Sequence, residues 1–341
     1  MSELEAIIAD SIEAQGALLF SEFMELALYH PELGFYAAFG NAGGRNGDFV
    51  TSVETGPLFA AILGDWLDGR WTSLGQPDPF HVVEGGAGVA TLWRGVRKAR
   101  PACFDALHWH LVERSARLRE FHNDLPNGTW SSHEVLPTSR VHVVLANELL
   151  DNLSFDIAVS TDTGWKHQMV RLASTGEFAF AVGDRVAGIG FDALVPEAPV
   201  GTRLPVLGGA NEWVAHATAI ADQVLAFDYG ASVAELARRD GAWLRTYRGH
   251  TRGTNPLVDA GRNDITCDVA PELLPRPKRV ITQAEWLHEN GLTGRVEQAR
   301  EIWRERGQIG DLDAMFARSA ITESAALIDP SGLGGFLVME W

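Results

Sequence analysis

The sequence predicts an α/β fold in which a parallel sheet carries helices on both faces. Short apolar runs of strand length alternate with segments of helical spacing from residue 80 onward. Strands that are buried on both faces have such continuous apolar runs, and the helices between them connect parallel neighbours. The first run, FHVVEGGAG, leads through glycines into the helical segment VATLWRGVRKARP. A tight strand-to-helix turn of this kind is typical of the ligand-binding edge of an open α/β sheet.

Composition limits the classes of protein to which the chain can belong. The 341 residues are 46% hydrophobic, which is enough for one large domain with insertions or for two domains. A net charge of −17 argues against a broad electropositive face for nucleic acid. No apolar run approaches the roughly 20 residues that span a membrane. Cys103 and Cys267 are too few and too far apart for a disulfide framework or a metal site.

The amino-terminal segment MSELEAIIADSIEA contains acidic residues, and the first basic residue of the chain is Arg45. A secretory signal needs a basic start before an apolar stretch, and a mitochondrial presequence is rich in arginine and poor in acids. These features predict a cytoplasmic protein without nucleic-acid, membrane or metal partners.

Residues 1–79 predict a helical extension ahead of the sheet. Ser2 and Glu5 form a capping-box pattern that starts a helix. A second helix, SEFMELALYH, starts at Ser21 and ends at Pro31. The glycine-rich stretch LGFYAAFGNAGGRNGDF predicts a loop or a short hairpin, and GPLFAAILGDWLDGRW returns to helical spacing.

Three further segments follow. Residues 80–154 predict the first part of the sheet, with strands in FHVVEGGAG, ALHWHLVE and RVHVVLANELLDNL and a helix in RSARLREFHNDL. Residues 155–222 interrupt the alternation with WKHQMVRL and GEFAFAV, whose linker ASTG predicts an inserted hairpin on the substrate side. Residues 223–341 complete the sheet with strands in DQVLAFDYG and GGFLVMEW, separated by helical and loop segments.

The turn after the first strand places Glu84 directly before Gly86 and Gly88. Glycines at this edge let the backbone approach a ligand closely. A dinucleotide site would need a third glycine where Thr91 stands, and a phosphate-binding P-loop would need a lysine followed by serine or threonine. An acid before the glycines is typical of S-adenosylmethionine methyltransferases, because a carboxylate suits the cationic amino end of the methionine part. The alternative is an ordinary strand-to-helix turn.

The second strand ends in Glu113, about 25 residues beyond the glycines. An acid at this place in the fold commonly binds the ribose hydroxyls of a nucleoside. The sequence therefore predicts that Glu113 binds the ribose of the cofactor. The alternative is an acid near a helix amino terminus, beside Arg114.

Several separated motifs resemble the MidA-like family of S-adenosyl-L-methionine-dependent methyltransferases. They are ALYHPELGFY, NGDFVTSVET, VVEGGAGVATL, VLANELLDNLSFD, AFDYG, LRTYRGH, NPLVDAGRNDIT and QAEWLHENG, in that order. The resemblance covers nearly the whole chain. It implies a class I methyltransferase fold with an amino-terminal extension and insertions around the cleft. Relatives in the family include a mitochondrial protein arginine methyltransferase needed for complex I assembly.

The family's Gly-Asp-Phe-x-Thr-x-x-Glu element matches Gly47, Asp48, Phe49, Thr51 and Glu54. The resemblance implies a lid that folds back over the cofactor cleft and contacts the cofactor. A mobile polar loop of this kind binds the polar ends of a ligand and excludes water. The alternative is a surface loop in which Asp48 and Thr51 bond their own backbone.

The family's Ala-Asn-Glu-x-x-Asp motif falls on Asn147, Glu148 and Asp151, just past a strand. The resemblance implies that Asn147 contacts the cofactor. If the acceptor is a guanidinium, a carboxylate can hold it with two hydrogen bonds, and Glu148 is the first candidate and Asp151 the second. The alternative is that Asn147 and Asp151 cap the next helix.

Other candidates for the acceptor side follow later in the chain. Asp228 is a third catalytic candidate and Tyr229 a substrate contact, although Asp228 can equally cap a turn. The family's carboxyl-terminal signature adds four residues as substrate contacts: Arg245, Tyr247, His250 and Asp264.

The chain departs from the family pattern at the glycine turn and at the lid. Gly85, Ala87 and Ala90 stand where the family usually has Leu, Pro and a last Gly, and Val53 replaces the Pro before Glu54. The segment CDVAPE departs from the family's usual His-Val-Asp-Phe.

The leading prediction for function is S-adenosyl-L-methionine-dependent methylation of protein arginine by direct in-line transfer. One alternative is a methyltransferase for a small metabolite, and another is a non-catalytic assembly factor that keeps the cofactor. A deep, apolar, enclosed acceptor pocket favours a metabolite, whereas an open acidic groove favours a protein. A homodimer is a further possible partner arrangement.

Overall fold

The computed structural model describes residues 1–38, 51–126, 128–248 and 251–341. Its strands, in chain order, are β1 Phe80–Gly85, β2 Leu107–Val112, β3 Trp130–His133, β4 Val141–Asn147, β5 Asp156–Thr161, β6 Gly164–Leu172, β7 Phe178–Arg185, β8 Arg203–Val206, β9 Ala221–Asp228, β10 Leu244–Arg248, β11 Thr251–Gly253, β12 Asp264–Cys267, β13 Arg279–Thr282 and β14 Leu337–Glu340.

The helices are α1 Glu3–Gln15, α2 Phe20–Tyr29, α3 Phe35–Ala38, α4 Pro57–Ser73, α5 Thr91–Ala99, α6 Ala116–Glu120, α7 Phe191–Leu194, α8 Gly208–Ile220, α9 Val233–Arg238, α10 Gln283–Glu289, α11 Leu292–Arg306 and α12 Leu312–Leu327. The predicted capping box forms at the start of α1, where Ser2 accepts from the Glu5 N–H and Glu5 accepts from the Ser2 N–H. Pro57 begins α4, where its missing N–H has no cost.

Seven strands form the main sheet in the order β13–β14–β9–β4–β1–β2–β3. The five strands from β9 to β3 are parallel to one another. The last strand of the chain, β14, lies antiparallel between β9 and β13. The predicted parallel sheet is confirmed, and the carboxyl ends of β1, β2, β4 and β9 meet at one edge.

Helices cover both faces of this sheet, as predicted. Alternate residues of β1 point to opposite sides, so that Val82 and Val83 belong to two different cores. The core around Val83 also contains apolar side chains of α1, α2 and α8. The core around Val82 contains those of α4, α5 and α10. This layering fixes the strand ends and leaves their carboxyl edge open for a site.

Two smaller antiparallel sheets flank the main one. The predicted hairpin is confirmed, because β6 pairs with β7, and these strands join β5 and β8 in a four-stranded sheet. The strands β10, β11 and β12 form a three-stranded sheet where the sequence predicted helical and loop segments. That prediction is incomplete because these strands are short and β12 lacks apolar alternation. The division into segments 1–79, 80–154, 155–222 and 223–341 stays a prediction.

Three local predictions differ from the structure. The stretch predicted as a loop or hairpin after residue 33 contains the four-residue helix α3, and residues 39–50 of that stretch lie outside the described residues. The helix predicted in RSARLREFHNDL is short, because α6 ends at Glu120 and a 3₁₀ turn follows at Phe121–Asp124. The short strand β3 was missed, since its four residues WSSH lack an apolar run.

Among the described residues, no helix is both long and apolar enough to cross a membrane. In the same part of the chain, no cluster of three or more His, Cys, Asp or Glu side chains has an arrangement that suits a metal ion.

Candidate active site

A cavity of about 570 Å³ opens at the carboxyl edge of β1, β2 and β4. Its size is within the range of small-molecule sites in proteins. The glycine turn, the strand ends, residues 51–54 and one side of α8 line it. The lining includes most of the residues that the sequence predicted for the cofactor, together with the first catalytic candidate: Thr51, Glu54, Glu84, Gly86, Gly88, Glu113, Asn147 and Glu148.

The glycine turn exposes its backbone to this cavity. Gly86 has φ of 64° and Gly88 has φ of 52°, which is the left-handed region that side chains rarely adopt. A Cβ added at Gly88 would meet no protein atom within 4 Å among the described residues. The space beside Gly88 is therefore open for a ligand, and a side chain there would fill it.

Ala90, which stands in place of the family's last glycine, does not line the cavity. It also adopts a left-handed conformation, with φ of 63°, and its methyl group is fully buried in the core with α4 and α5. A non-glycine residue in this region stores backbone strain. The replacement therefore strains the turn without placing a methyl group in the ligand space.

Glu84 closes one end of the cavity. Its side chain is 5% exposed, and its Oε2 accepts a hydrogen bond of 2.8 Å from the indole Nε1–H of Trp109. Burial raises the pKa of Glu84 to about 8. A carboxyl group with this raised pKa is mostly protonated at neutral pH, and it ionises when a cation binds beside it.

Glu113 supports the glycine turn. Its Oε2 accepts from the Gly88 N–H at 2.9 Å, and its Oε1 accepts from the Ser115 N–H at 2.8 Å. Burial raises the pKa of Glu113, although these hydrogen bonds and Arg119 oppose the rise. These contacts agree with the alternative prediction, in which Glu113 is an acid near a helix amino terminus. The ribose-binding role of Glu113 stays a prediction.

Glu148 is strained and incompletely paired. Its φ of 52° is left-handed, and its Oε1 accepts from the Ser52 N–H and the Asn147 Nδ2–H, both at 3.2 Å. Its Oε2 is buried without a hydrogen-bond partner among the described residues. Burial, followed by the nearby Asp151, raises the pKa of Glu148 to about 8. Buried polar atoms are nearly always paired, and strained residues cluster at functional sites, so this oxygen indicates a ligand contact.

Residues 51–54, the last part of the predicted lid element, are fastened to the site. Ser52 is fully buried, and its Oγ–H donates to the Gln283 Oε1 at 2.8 Å while its N–H donates to Glu148. Thr51 and Glu54 line the cavity on either side of it. Gly47, Asp48 and Phe49 lie outside the described residues, so the lid itself stays a prediction.

The second and third catalytic candidates do not line the cavity. The carboxylate of Asp228 accepts from the backbone N–H groups of Leu150 at 2.8 Å, Asp151 at 3.4 Å and Tyr229 at 2.9 Å. These contacts match the alternative in which Asp228 caps a turn. Asp151 is 1% exposed, and neither of its carboxyl oxygens has a partner among the described residues. Burial and the neighbouring carboxyls of Asp228 and Asp264 raise the pKa of Asp151.

The predicted acceptor-side residues form a buried polar layer behind the cavity. Arg245 pairs with Asp268 and lies 5.0 Å over the ring of Tyr229. Asp264 accepts from the hydroxyl of Tyr36 and from the side-chain amide of Asn152, both at 3.0 Å.

Tyr36 and Asn152 line the cavity, so they separate this polar layer from it. Tyr247 pairs in register with Asp264 on the neighbouring strand β12. His250 lies outside the described residues, and the substrate-binding roles of this group stay predictions.

Several lining residues were missed by sequence reasoning. Tyr29 and Tyr36 stack with 5.3 Å between ring centroids, and Trp213 reaches the cavity from α8. The aromatic residues of ALYHPELGFY were part of a recognised motif, and that motif was the available signal for the two tyrosines. Trp213 belongs to a helix of the insertion, where no local pattern indicates a ligand.

The cavity is strongly acidic. Seven glutamates are among its described lining residues: Glu25, Glu54, Glu84, Glu113, Glu134, Glu148 and Glu212. Among the described lining residues the single arginine is Arg114, whose guanidinium forms two hydrogen bonds, of 3.1 and 2.6 Å, to Glu25. An excess of carboxyl groups in a partly closed cleft attracts cationic ligands.

Comparisons with known proteins agree with this geometry. Residues 62–287 match a family model described as S-adenosyl-L-methionine-dependent methyltransferase. The chain is 26% identical to the Drosophila melanogaster protein arginine methyltransferase NDUFAF7 homolog, mitochondrial, over 95% of this chain and 80% of that protein. It is 25% identical to the Danio rerio protein arginine methyltransferase NDUFAF7, mitochondrial, over 85% of this chain and 77% of that protein.

A solved structure is similar over nearly the whole chain. It is the crystal structure of a Burkholderia thailandensis protein bound to S-adenosyl-homocysteine. The TM-score is 0.84 and the identity 25%, and the match covers 99% of this chain and 91% of that one.

Proposed function

We propose a methyl acceptor for this protein. The chain belongs to the family of S-adenosyl-L-methionine-dependent methyltransferases, and the proposal proceeds from that membership. The predicted family, the class I methyltransferase fold and the cofactor are confirmed. The acceptor that the site supports best is the guanidinium of an arginine in a protein. The observation that carries this proposal is the acidity of the cleft, with seven lining glutamates and one neutralised arginine among the described residues.

The residues of the cavity fit the cofactor. S-adenosyl-L-methionine has a cationic amino group and a cationic sulfonium that activates its methyl group for transfer. Glu84 and the open space beside Gly88 suit the methionine part, and Glu113 and Asn147 line the same cavity, which supports the cofactor contacts predicted for them. The cofactor carries one net positive charge, because its own carboxylate offsets one of its two cationic centres. Arg114 neutralises Glu25, and the other six glutamates include Glu84 and Glu148, which ionise when a cation binds beside them. The described lining therefore has more carboxyl groups than the cofactor alone can neutralise, which supports a cationic acceptor.

Glu148 supports a role in binding and deprotonating that acceptor. Its unpartnered Oε2 is buried at the cavity wall, and its pKa of about 8 is high enough for it to take a proton and low enough for it to ionise near neutral pH. A guanidinium that binds a carboxylate through two N–H groups is fixed in orientation. The attacking nitrogen must lose one proton as it gains the methyl group, and Glu148 accepts that proton.

The mouth of the cleft favours a macromolecule over an enclosed metabolite. Glu212 and His216 line the cavity from α8 and are themselves exposed to solvent. An arginine side chain is long enough to enter such a cleft while its backbone stays outside. The curated relatives named above are protein arginine methyltransferases, which agrees with this acceptor.

Labelling with the isotopic methyl group of S-adenosyl-L-methionine tests the proposal. The purified protein is incubated with host lysate, and proteins and small molecules are separated and analysed by mass spectrometry. We expect label on arginine side chains of one or a few proteins. Label confined to the small-molecule fraction contradicts the proposal in favour of a metabolite, and binding of S-adenosyl-homocysteine without any labelled product supports an assembly factor. A cytoplasmic location and a homodimer stay predictions.

A further inference from the structure

One wall of the cavity comes from α8, a helix of the insertion rather than of the glycine turn. Gly209, Trp213 and His216 are three to four residues apart, so they share one face of α8, and all three line the cavity. The opposite face buries Ala210, Val214 and Ala217 in the core. The start of the helix is held by a hydrogen bond of 3.0 Å from the Gly209 N–H to the Ser154 carbonyl.

Trp213 lies directly against the glycine turn at Gly85. A Cβ added to Gly85 would lie 2.5 Å from Cζ2 of the indole and 3.1 Å from the side chain of Leu149. Real Cβ atoms do not approach that closely, so the ring holds its position because residue 85 has no side chain. The family usually has Leu at this position, and here an indole from another element fills the corresponding space.

The Trp213 ring is half-buried at the cavity surface. Most other tryptophans among the described residues either are buried or donate their indole N–H to a protein carbonyl or carboxylate. Trp109, for example, donates to Glu84. For Trp213, no such hydrogen bond is present in the described part of the chain. Its N–H and its aromatic surface are therefore both available to a ligand.

We propose that Trp213 is a cofactor-binding residue and forms a matched pair with Gly85. Gly85 and Trp213 line the same cavity as Glu84, the carboxyl that suits the cationic amino end of the methionine part, so the indole is within reach of a cationic ligand bound there. Aromatic surfaces attract cations, and the attraction grows when water is excluded. Trp213 thereby supplies the apolar wall that the missing side chain at position 85 would have provided. The inference rests on the cofactor and not on the proposed acceptor.

Binding of S-adenosyl-homocysteine and of S-adenosyl-L-methionine, measured by isothermal titration, tests the pair without any acceptor. We expect Trp213→Ala to weaken S-adenosyl-L-methionine binding by about tenfold, with a smaller loss for S-adenosyl-homocysteine, which keeps the cationic amino group but lacks the sulfonium charge. Gly85→Leu should weaken both ligands, because the new side chain displaces the ring. Gly85 does not have a left-handed φ, so this substitution acts through contact and not through backbone strain.

The double variant Gly85→Leu/Trp213→Ala decides whether the two residues act as a pair. We expect it to bind more tightly than either single variant, because the side chain introduced at position 85 takes the space that the indole leaves. Trp303→Ala is the matched control, since Trp303 is a half-exposed tryptophan on α11 that does not line the cavity. Unchanged binding in Trp213→Ala overturns the proposal, and losses that simply multiply in the double variant overturn the pairing. Circular dichroism and melting temperature establish that each variant is folded.

Discussion

The main sheet carries two clusters of ionisable side chains, one at its carboxyl edge and one on a face of its strands. The acid edge consists of Glu84, Glu113, Glu148, Asp151 and Asp228. The histidine face consists of His81, His108, His110, His133 and His142, whose rings are 4.7 to 5.9 Å from their neighbours. Burial makes the charged form costly for the acids of the edge and for His81 and His110 on the histidine face. Their hydrogen bonding differs.

The histidine face satisfies itself. The ring Nδ1 of His81 lies 2.9 Å from the Nε2 of His110. The backbone N–H of His81 donates to the Nδ1 of His142 at 2.9 Å. In the described part of the chain, none of these five histidines has a buried ring nitrogen without a partner. At the acid edge, in contrast, an oxygen of Glu148 and both oxygens of Asp151 have no partner among the described residues. Unpaired buried oxygens therefore separate Glu148 and Asp151 from the histidine face.

The two clusters also have opposite effects on stability. The folded-state pKa of Glu84 and of Glu148 is raised from 4.5 to about 8, so the folded protein holds these protons more tightly and loses this stabilisation as pH rises through that window. The pKa of His110 is lowered from 6.5 to about 4 by burial and by His108, so its contribution is present above pH 6.5 and is lost as pH falls towards 4.

Removing the charge of Glu148 should have the largest effect. Glu148→Gln keeps the shape of the side chain, and we expect methyl transfer to a cationic acceptor to fall by about 100-fold or more, the scale of a positioned acid–base group. S-adenosyl-homocysteine binding should change little. Glu212→Gln is the matched control, because Glu212 also lines the cavity but is exposed, and it should cost less than threefold. A collapse of cofactor binding in Glu148→Gln would assign Glu148 to the cofactor instead.

The pH dependence of methyl transfer should follow the ionisation of the acid edge and not that of the histidine face. Because Glu148 must be ionised to bind the acceptor and its pKa is about 8, kcat/KM should rise about tenfold per pH unit below pH 8 and level off above it. Initial rates between pH 6 and 9 measure this, with folding checked at each pH. In Glu148→Gln the rise should disappear. A rise that persists in this variant would point to Glu84 as the titrating group.

Filling the space beside Gly88 should weaken cofactor binding by about tenfold in Gly88→Ala, because the new methyl group enters the open cradle. Gly310→Ala is a matched control. Both glycines have left-handed φ, of 52° and 68°, and at both an added Cβ meets no described atom within 4 Å. Both substitutions should cost about 1 kcal/mol of stability through backbone strain. Isothermal titration and urea unfolding separate the two effects, and equal affinities would remove the ligand from the Gly88 side.

The smallest expected effect concerns the histidine face. The free energy of unfolding should fall between pH 6.5 and pH 4, and His110→Gln should make this fall smaller by about 1 kcal/mol. That figure allows for the solvent that screens this half-buried ring. S-adenosyl-homocysteine affinity at pH 8 should not change. Urea unfolding at several pH values is the measurement. If the affinity for S-adenosyl-homocysteine changes at pH 8, the histidine face contributes to the ligand site and the distinction between the two clusters is wrong.

The sequence by itself determined the parallel sheet and the edge at which the site lies. Glu84, Glu113 and Glu148 each follow or end an apolar strand, and parallel strands bring such positions to one edge whatever the details of packing. The glycines of the turn were predictable for the same reason, because their conformation is a local property. The resemblance to a methyltransferase family supplied the cofactor, which the fold alone would not specify.

Only the tertiary structure decided which side chains are free to act. Asp228 and Glu148 both follow or end an apolar strand in the sequence, yet three backbone N–H groups donate to the carboxylate of Asp228, while one oxygen of Glu148 has no partner in the part of the chain that the structure describes. Trp213 reaches the cavity, and His81 meets His142, through contacts between segments that are far apart in the chain. Local pattern sets which way a strand runs and where it ends, but register and packing between distant segments set which polar atoms find partners.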